Sequence, residues 1–144
     1  ALTWWKKSGG VQVSEPEVLL RVPGDRQYAL AIRTALGGVA ILKDLDADTL
    51  DDLRMAADEM CDCLLHQGRT VDHLEVAVYD EGDYLKVAIS ACYGEKKCPC
   101  EDETEITRAV LQTLASDVEM TRCGDCVQRI TLLLHKATAP LKKQ

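Results

Sequence analysis

The spacing of apolar and polar positions changes several times along the chain, and each change marks an element. Val18 to Val22 is a short apolar run closed by Pro23-Gly24, which predicts a strand followed by a turn. From Asp25 the period becomes helical. Tyr28, Ile32, Leu36 and Val39 fall on one face and predict a helix over 25–43. Gly37-Gly38 within it suits close packing or a kink. Asp46 and Asp48 offer N-caps for a second helix, with Asp51 and Asp52 favourably placed in its first turn. Its stripe is Leu50, Leu53, Ala57, Met60 and Leu64, running to about His66, with Gly68 as the expected stop.

Beyond Gly68 the period is two. Leu74, Val76 and Val78, then Leu85, Val87 and Ile89, flank Asp80-Glu81-Gly82-Asp83 and predict a β-hairpin. Residues 92–104 hold Gly94, Lys96, Lys97, Pro99 and an acidic cluster, and read as a loop. Ile106, Val110, Leu111 and Leu114 restore helical spacing, with Asp102 and Glu105 as an acidic capping box. Val118 to Arg122 and Val127 to His135 predict a second hairpin, with Ile130, Leu132 and Leu134 on one face.

The order β-α-α-β-β-α-β-β has too few helices for a doubly wound sheet. It predicts an α+β fold: a two-layer α/β sandwich in which helices cover one face of a mixed, mostly antiparallel sheet. The expected organisation is a tail over 1–15, one domain over 16–137 and a second tail over 138–144. Trp4 and Trp5 in the first tail suit packing on the domain or on a partner.

A chain of 144 residues suits a single domain, and 47% apolar with 28% charged residues suits a soluble one. Phe is absent, so Leu, Val, Ile and Ala must fill the core. A formal charge of −7 argues against a nucleic-acid binder, which carries basic faces. No apolar run approaches a membrane span, and the start Ala-Leu-Thr-Trp-Trp-Lys-Lys lacks the apolar core of a signal peptide. The expected location is therefore cytoplasmic, where thiols stay reduced. Seven cysteines is a high count there, and an odd one, so they cannot all pair within one chain.

Several of these residues carry a family pattern. Val22-Pro23 ends the first strand. The first helix then reads Tyr28, Ile32-Arg33 and Leu36-Gly37-Gly38-Val39-Ala40, and the second reads Asp52-Leu53-Arg54-Met55-Ala56-Ala57-Asp58-Glu59-Met60-Cys61. Over about residues 17–136 the chain resembles the serine-kinase anti-sigma factors of the GHKL (histidine-kinase-like) ATPase superfamily. The resemblance implies that fold, a protein partner such as a sigma factor or an anti-anti-sigma-like protein, and a homodimer. It also implies that the first helix and its surroundings hold sigma factor, which makes Arg26 and Arg33 contact candidates. In the family, a Glu-x-x-x-Asn box supplies a base and a magnesium ligand. Glu59 is present here, but Cys63 stands in the Asn position. An Asp-x-Gly-x-Gly box reads adenine, whereas this chain has Ala91-Cys92-Tyr93-Gly94. The glycine-rich start of the third helix, which cradles phosphate, is replaced by Glu105-Ile106-Thr107. Glu59, Cys63, Ala91 and Cys92 thus read as the remnant of a pocket that does not take ATP. The expectation is a regulator without kinase activity. An active serine/threonine kinase with altered motifs is the opposing alternative.

Cysteine spacing opens a further reading. Cys98-Pro99-Cys100 falls where the resembled family has its ATP lid, and Cys123-Gly124-Asp125-Cys126 spans the last hairpin turn. Four thiolates suit tetrahedral zinc or an iron–sulfur cluster, with Cys63, His66 and Cys92 as substitute ligands. Free thiols and a redox switch remain the alternatives. Glu59, Cys63 and His66 share one helix face, where the bland reading is a polar surface. Cys61 reads as a packing thiol. Two spellings mislead. Cys63 to Arg69 matches a phosphatase loop, but its Cys lies within a helix. The C-x-x-C at 123–126 precedes a strand, not the helix that activates a dithiol oxidoreductase.

Overall fold

The computed structural model describes residues 15–97, 104–124 and 126–136, with residues 95–97 through their backbone alone. The order is β1 (Val18–Pro23), a 3-10 turn (Arg26–Tyr28), α1 (Ala29–Leu42), α2 (Ala47–Leu65), β2 (Arg69–Glu81), β3 (Tyr84–Lys97), α3 (Thr104–Leu114), β4 (Asp117–Cys123) and β5 (Cys126–His135). The fold is α+β, as the alternating periods predict. Among the described residues the strands form one sheet in the order β1-β2-β3-β5-β4, and every pairing is antiparallel.

The helices deliver their stripes to one face of that sheet. Ile32, Leu36 and Val39 of α1 and Leu53, Ala57, Met60 and Leu64 of α2 join one buried cluster. Their partners there are Leu74, Val76 and Val78 of β2, Leu85, Val87 and Ile89 of β3, and Ile130, Leu132 and Leu134 of β5. Leu50 packs against this cluster while only partly buried. The Asp46 carboxylate caps α2, accepting from Thr49 N at 2.8 Å, and hydrogen bonding from the Thr49 side chain, then from its backbone N–H, holds its pKa below the ordinary value. The tandem glycines leave α1 unbroken. Gly37 packs toward α2, where an added Cβ would lie 3.6 Å from Arg54 Nε, while Gly38 faces open space.

An ion cluster joins four separate parts of the chain. Lys43, just after α1, reaches Glu17 and Asp80 at 2.8 Å each, and Lys136 reaches Asp80 at 2.5 Å. It ties the hairpin end of β2 to the start of β1, the end of α1 and the end of β5.

The expected loop over 92–104 needs correction at its start, because β3 runs on to Lys97 and β2 begins at Arg69. Tyr93 pairs with Val71 and Lys97 with Arg69, with irregular register on either side of Val71. Apolar alternation fades here because this end of the hairpin is held by polar groups. Arg69 Nη2 donates to Gly94 O at 2.9 Å, and its guanidinium lies 5.3 Å from the Tyr93 ring centre. Gly94 suits this close pairing, since a Cβ would meet Thr70 Oγ1 at 2.5 Å and force that side chain to shift.

Candidate functional site

The C-terminal half of α2 walls a cavity of about 310 Å³ closed by the first turn of α3. Its lining is Arg26, Glu59, Asp62, Cys63, His66, Gln67, Thr104, Ile106 and Thr107. Three of the singled-out residues therefore meet: Glu59, Cys63 and His66 fall at helical spacing on one face of α2. Arg26 pairs with Asp62 at 2.6 Å, tying the 3-10 turn to this wall. His66 Nδ1 lies 2.8 Å from Asp62 O, so that nitrogen carries the proton when the ring is neutral. Cys61, one residue from the wall, is fully buried. Burial, then Asp58 and Asp62, pushes its thiol up to about 12, as suits a packing residue.

Ala91 and Cys92 do not line the cavity. Ala91 pairs with Leu74 and is only 2% exposed, inside the core. Cys92 pairs with His73 and is exposed. Strand alternation turns it to the face opposite Ala91, away from the helices. Cys123 is exposed and Cys126 buried, and both thiols are free. Cys98 and Cys100 lie outside the described residues, so the expected four-cysteine centre is only half in view. Asp102, the expected cap of α3, lies outside them as well. Among the described residues, no three His, Cys, Asp or Glu side chains gather as a metal site. Arg33 forms a 2.9 Å ion pair with Asp58, so both arginines expected as contacts reach back to α2.

One feature of the site escapes sequence reasoning. Gln67, just past α2, clasps Val127 of β5 in both directions: Val127 N donates to Gln67 Oε1 at 2.7 Å, and Gln67 Nε2 donates to Val127 O at 2.7 Å. The Tyr93 hydroxyl accepts from Gln67 Nε2 and lies 2.6 Å from Val127 O and 3.3 Å from Leu64 O. Burial, with the Cys126 and Cys63 thiols nearby, raises the Tyr93 pKa above its ordinary range. The only signal in the sequence is Tyr93 itself, a lone aromatic in an otherwise polar stretch.

A fully antiparallel sheet backed by α1 to α3, with the acidic helix and the start of α3 walling a cavity, is the histidine-kinase-like fold of the anti-sigma kinases. The solved RsbU and RsbW domains of Rv1364c from Mycobacterium tuberculosis superpose with a TM-score of 0.60 at 16% identity, over 87% of this chain and 35% of that one. No family model matches the chain. In sequence, the anti-sigma-F factor RsbW of M. tuberculosis, in strains CDC 1551 and H37Rv, is 30% identical over 113 residues. The chain is a homologue of RsbW. The match takes in 76% of this chain, which spans 62% of those relatives' length. No helix among the described residues is long and apolar enough to cross a membrane.

Proposed function

We propose that this chain is an RsbW-like anti-sigma regulator that acts by holding a protein partner, a sigma factor or an anti-anti-sigma-like protein, without transferring phosphate from Mg-ATP. The observation that carries the reading is the burial of Ala91. It occupies the position of the adenine-reading carboxylate in the resembled family, yet it packs in the core at 2% exposure. An Asp there would have to bury a charge, which is costly without a partner. Cys63 on the cavity wall, in the place of the magnesium-binding Asn, supports the same conclusion. The cavity's volume is also at the low end of the roughly 300–1,000 Å³ typical of ligand sites.

Partner binding draws its support from α1. That helix leaves Leu30, Ile41 and Leu42 exposed at 58%, 67% and 82%, large apolar side chains that a partner would remove from water. The homodimer implied by the resemblance would compete for the same kind of surface. Calorimetric titration with ATP and magnesium tests the first half of the proposal, and no binding below the millimolar range is expected. A micromolar, magnesium-dependent dissociation constant would return the chain to the kinases. Leu30→Asp and Ile41→Asp test the second half: each should weaken capture of sigma factor F while leaving the circular dichroism spectrum unchanged.

A further inference from the structure

We propose that Cys123 and Cys126 form a reversible dithiol–disulfide site at the tip of the β4–β5 hairpin, closed by exchange with a small-molecule disulfide. The strand register places the two residues directly opposite each other. Facing residues of an antiparallel pair share a face, with Cα atoms roughly 4.5–5.5 Å apart. That lies inside the roughly 4.4–6.8 Å spanned by disulfides. Gly124, at φ 67°, takes the left-handed conformation that a two-residue reversal uses, so the turn is already tight before any bond forms. The loop closed by such a bond is very short, so it gains little from chain entropy and suits a labile bond better than a structural staple.

The two thiols differ in access, and this sets the order of events. Exposed Cys123, as thiolate, attacks one sulfur of the small disulfide and releases one small thiol. The Cys126 thiolate then attacks the Cys123 sulfur of the mixed disulfide and releases the second. The small disulfide is reduced to two thiols, and the two cysteines are oxidised to one bond. The buried Cys126 Sγ leaves Gln67 O, which it contacts at 3.8 Å. The next residue is Val127, which Gln67 clasps, and Gln67 also lines the cavity. Oxidation at the hairpin tip therefore pulls on the clasp that closes one side of that cavity. This inference stands independently of the partner-binding reading.

The test uses the full chain in mixtures of reduced and oxidised glutathione, followed by alkylation and peptide mass mapping. In the parent, a Cys123–Cys126 linkage should appear with the loss of two hydrogen masses and vanish on return to reduced glutathione. In Cys126→Ser, with no resolving thiol, a stable glutathione adduct should accumulate on Cys123. In Cys123→Ser, Cys126 should remain unmodified while the circular dichroism spectrum stays that of the parent. Linkage of either cysteine to Cys63, Cys92, Cys98 or Cys100 in its place would overturn the proposal. So would a Cys126→Ser variant that carries no adduct on Cys123.

Discussion

Replacing Tyr93 with Phe removes one oxygen from the Gln67 clasp and keeps the ring. The structure allows the cost to be worked out bond by bond. A single hydroxyl proton donates to one acceptor at a time, to Val127 O at 2.6 Å or to Leu64 O at 3.3 Å. Val127 O and the Gln67 amide keep each other at 2.7 Å after the change. Leu64 O is left worse off, because it belongs to the last turn of α2, where carbonyls lack helical partners. The net loss is one hydrogen bond plus partial desolvation of a carbonyl, or about 1–3 kcal/mol. Urea unfolding at neutral pH measures it. A second readout separates this account from simple loosening. Burial raises the Tyr93 pKa above its unfolded value of about 10. The contribution is therefore whole below about pH 10 and drains away as pH rises, because the unfolded phenol ionises first. Tyr93→Phe should flatten that alkaline decline relative to the parent. A change under half a kcal/mol (a threshold set from the ~1 kcal/mol worth of a net hydrogen bond), with an unaltered alkaline slope, would refute the clasp as a stabilising device.

Leu53→Ala should cost about 2–5 kcal/mol in the same unfolding assay, since Leu53 is 1% exposed at the centre of the α2 stripe. Gly38→Ala should stabilise the protein by roughly 0.5–1 kcal/mol, because Gly38 lies inside α1 with nothing within 4 Å of an added Cβ; a loss of stability would mean that this face is already in contact. Asp80→Asn should remove part of the acid-side pH dependence. Hydrogen bonds from Lys136, then Lys43, hold the Asp80 carboxyl well below the usual carboxylate range. Its contribution is thus whole above about pH 4 and lost as pH falls. Identical acid slopes for parent and variant in thermal melts would argue that the cluster contributes nothing.

The sequence is legible where burial repeats at a fixed period. The α2 stripe and the alternation of Leu85, Val87 and Ile89 name their own faces, because each apolar side chain answers to the same core. The extension of β3 through Lys97 is not legible in this way. Past Ala91 the hairpin reaches the margin of the core, where Val71 and Tyr93 are only partly buried, and its strands are held by the Arg69 guanidinium, the Tyr93 phenol and the close approach at Gly94. None of these repeats along the chain, and the turn-rich composition of the segment points the other way. The same limit applies to the site. Helical spacing alone brings Glu59, Cys63 and His66 to one wall, but only the tertiary fold places Arg26 across from Asp62 or Gln67 against Val127. Ala91 and Cys92 are neighbours in sequence, yet they end on opposite faces of the sheet, because a strand extends where a loop was expected.

The charges around the cavity bear on what can enter it. Glu59 and Asp62 line the wall, and Glu105 is exposed on the first turn of α3. Among the described residues, Arg26 is the one lining Lys or Arg, and it is engaged with Asp62 at 2.6 Å. A phosphate group in this space would meet carboxylates at close range. At about 4 Å, two like charges repel by roughly 1 kcal/mol in water and about 4 kcal/mol near a protein surface. Drawing Arg26 to the phosphate would not remove that cost, because Asp62 would then lose its own partner. A divalent cation would relieve the repulsion, but Cys63 stands where the resembled family has its metal-binding amide, and thiols suit softer metals than magnesium. Anion entry and magnesium recruitment thus oppose each other at this wall. On the proposed reading, Cys63→Asn alone should therefore not confer Mg-ATP binding in calorimetry, because the carboxylates and the buried Ala91 would remain. Micromolar binding by that single variant would mean that the residue at 63, and not the charge of the wall or the buried Ala91, decides whether Mg-ATP binds.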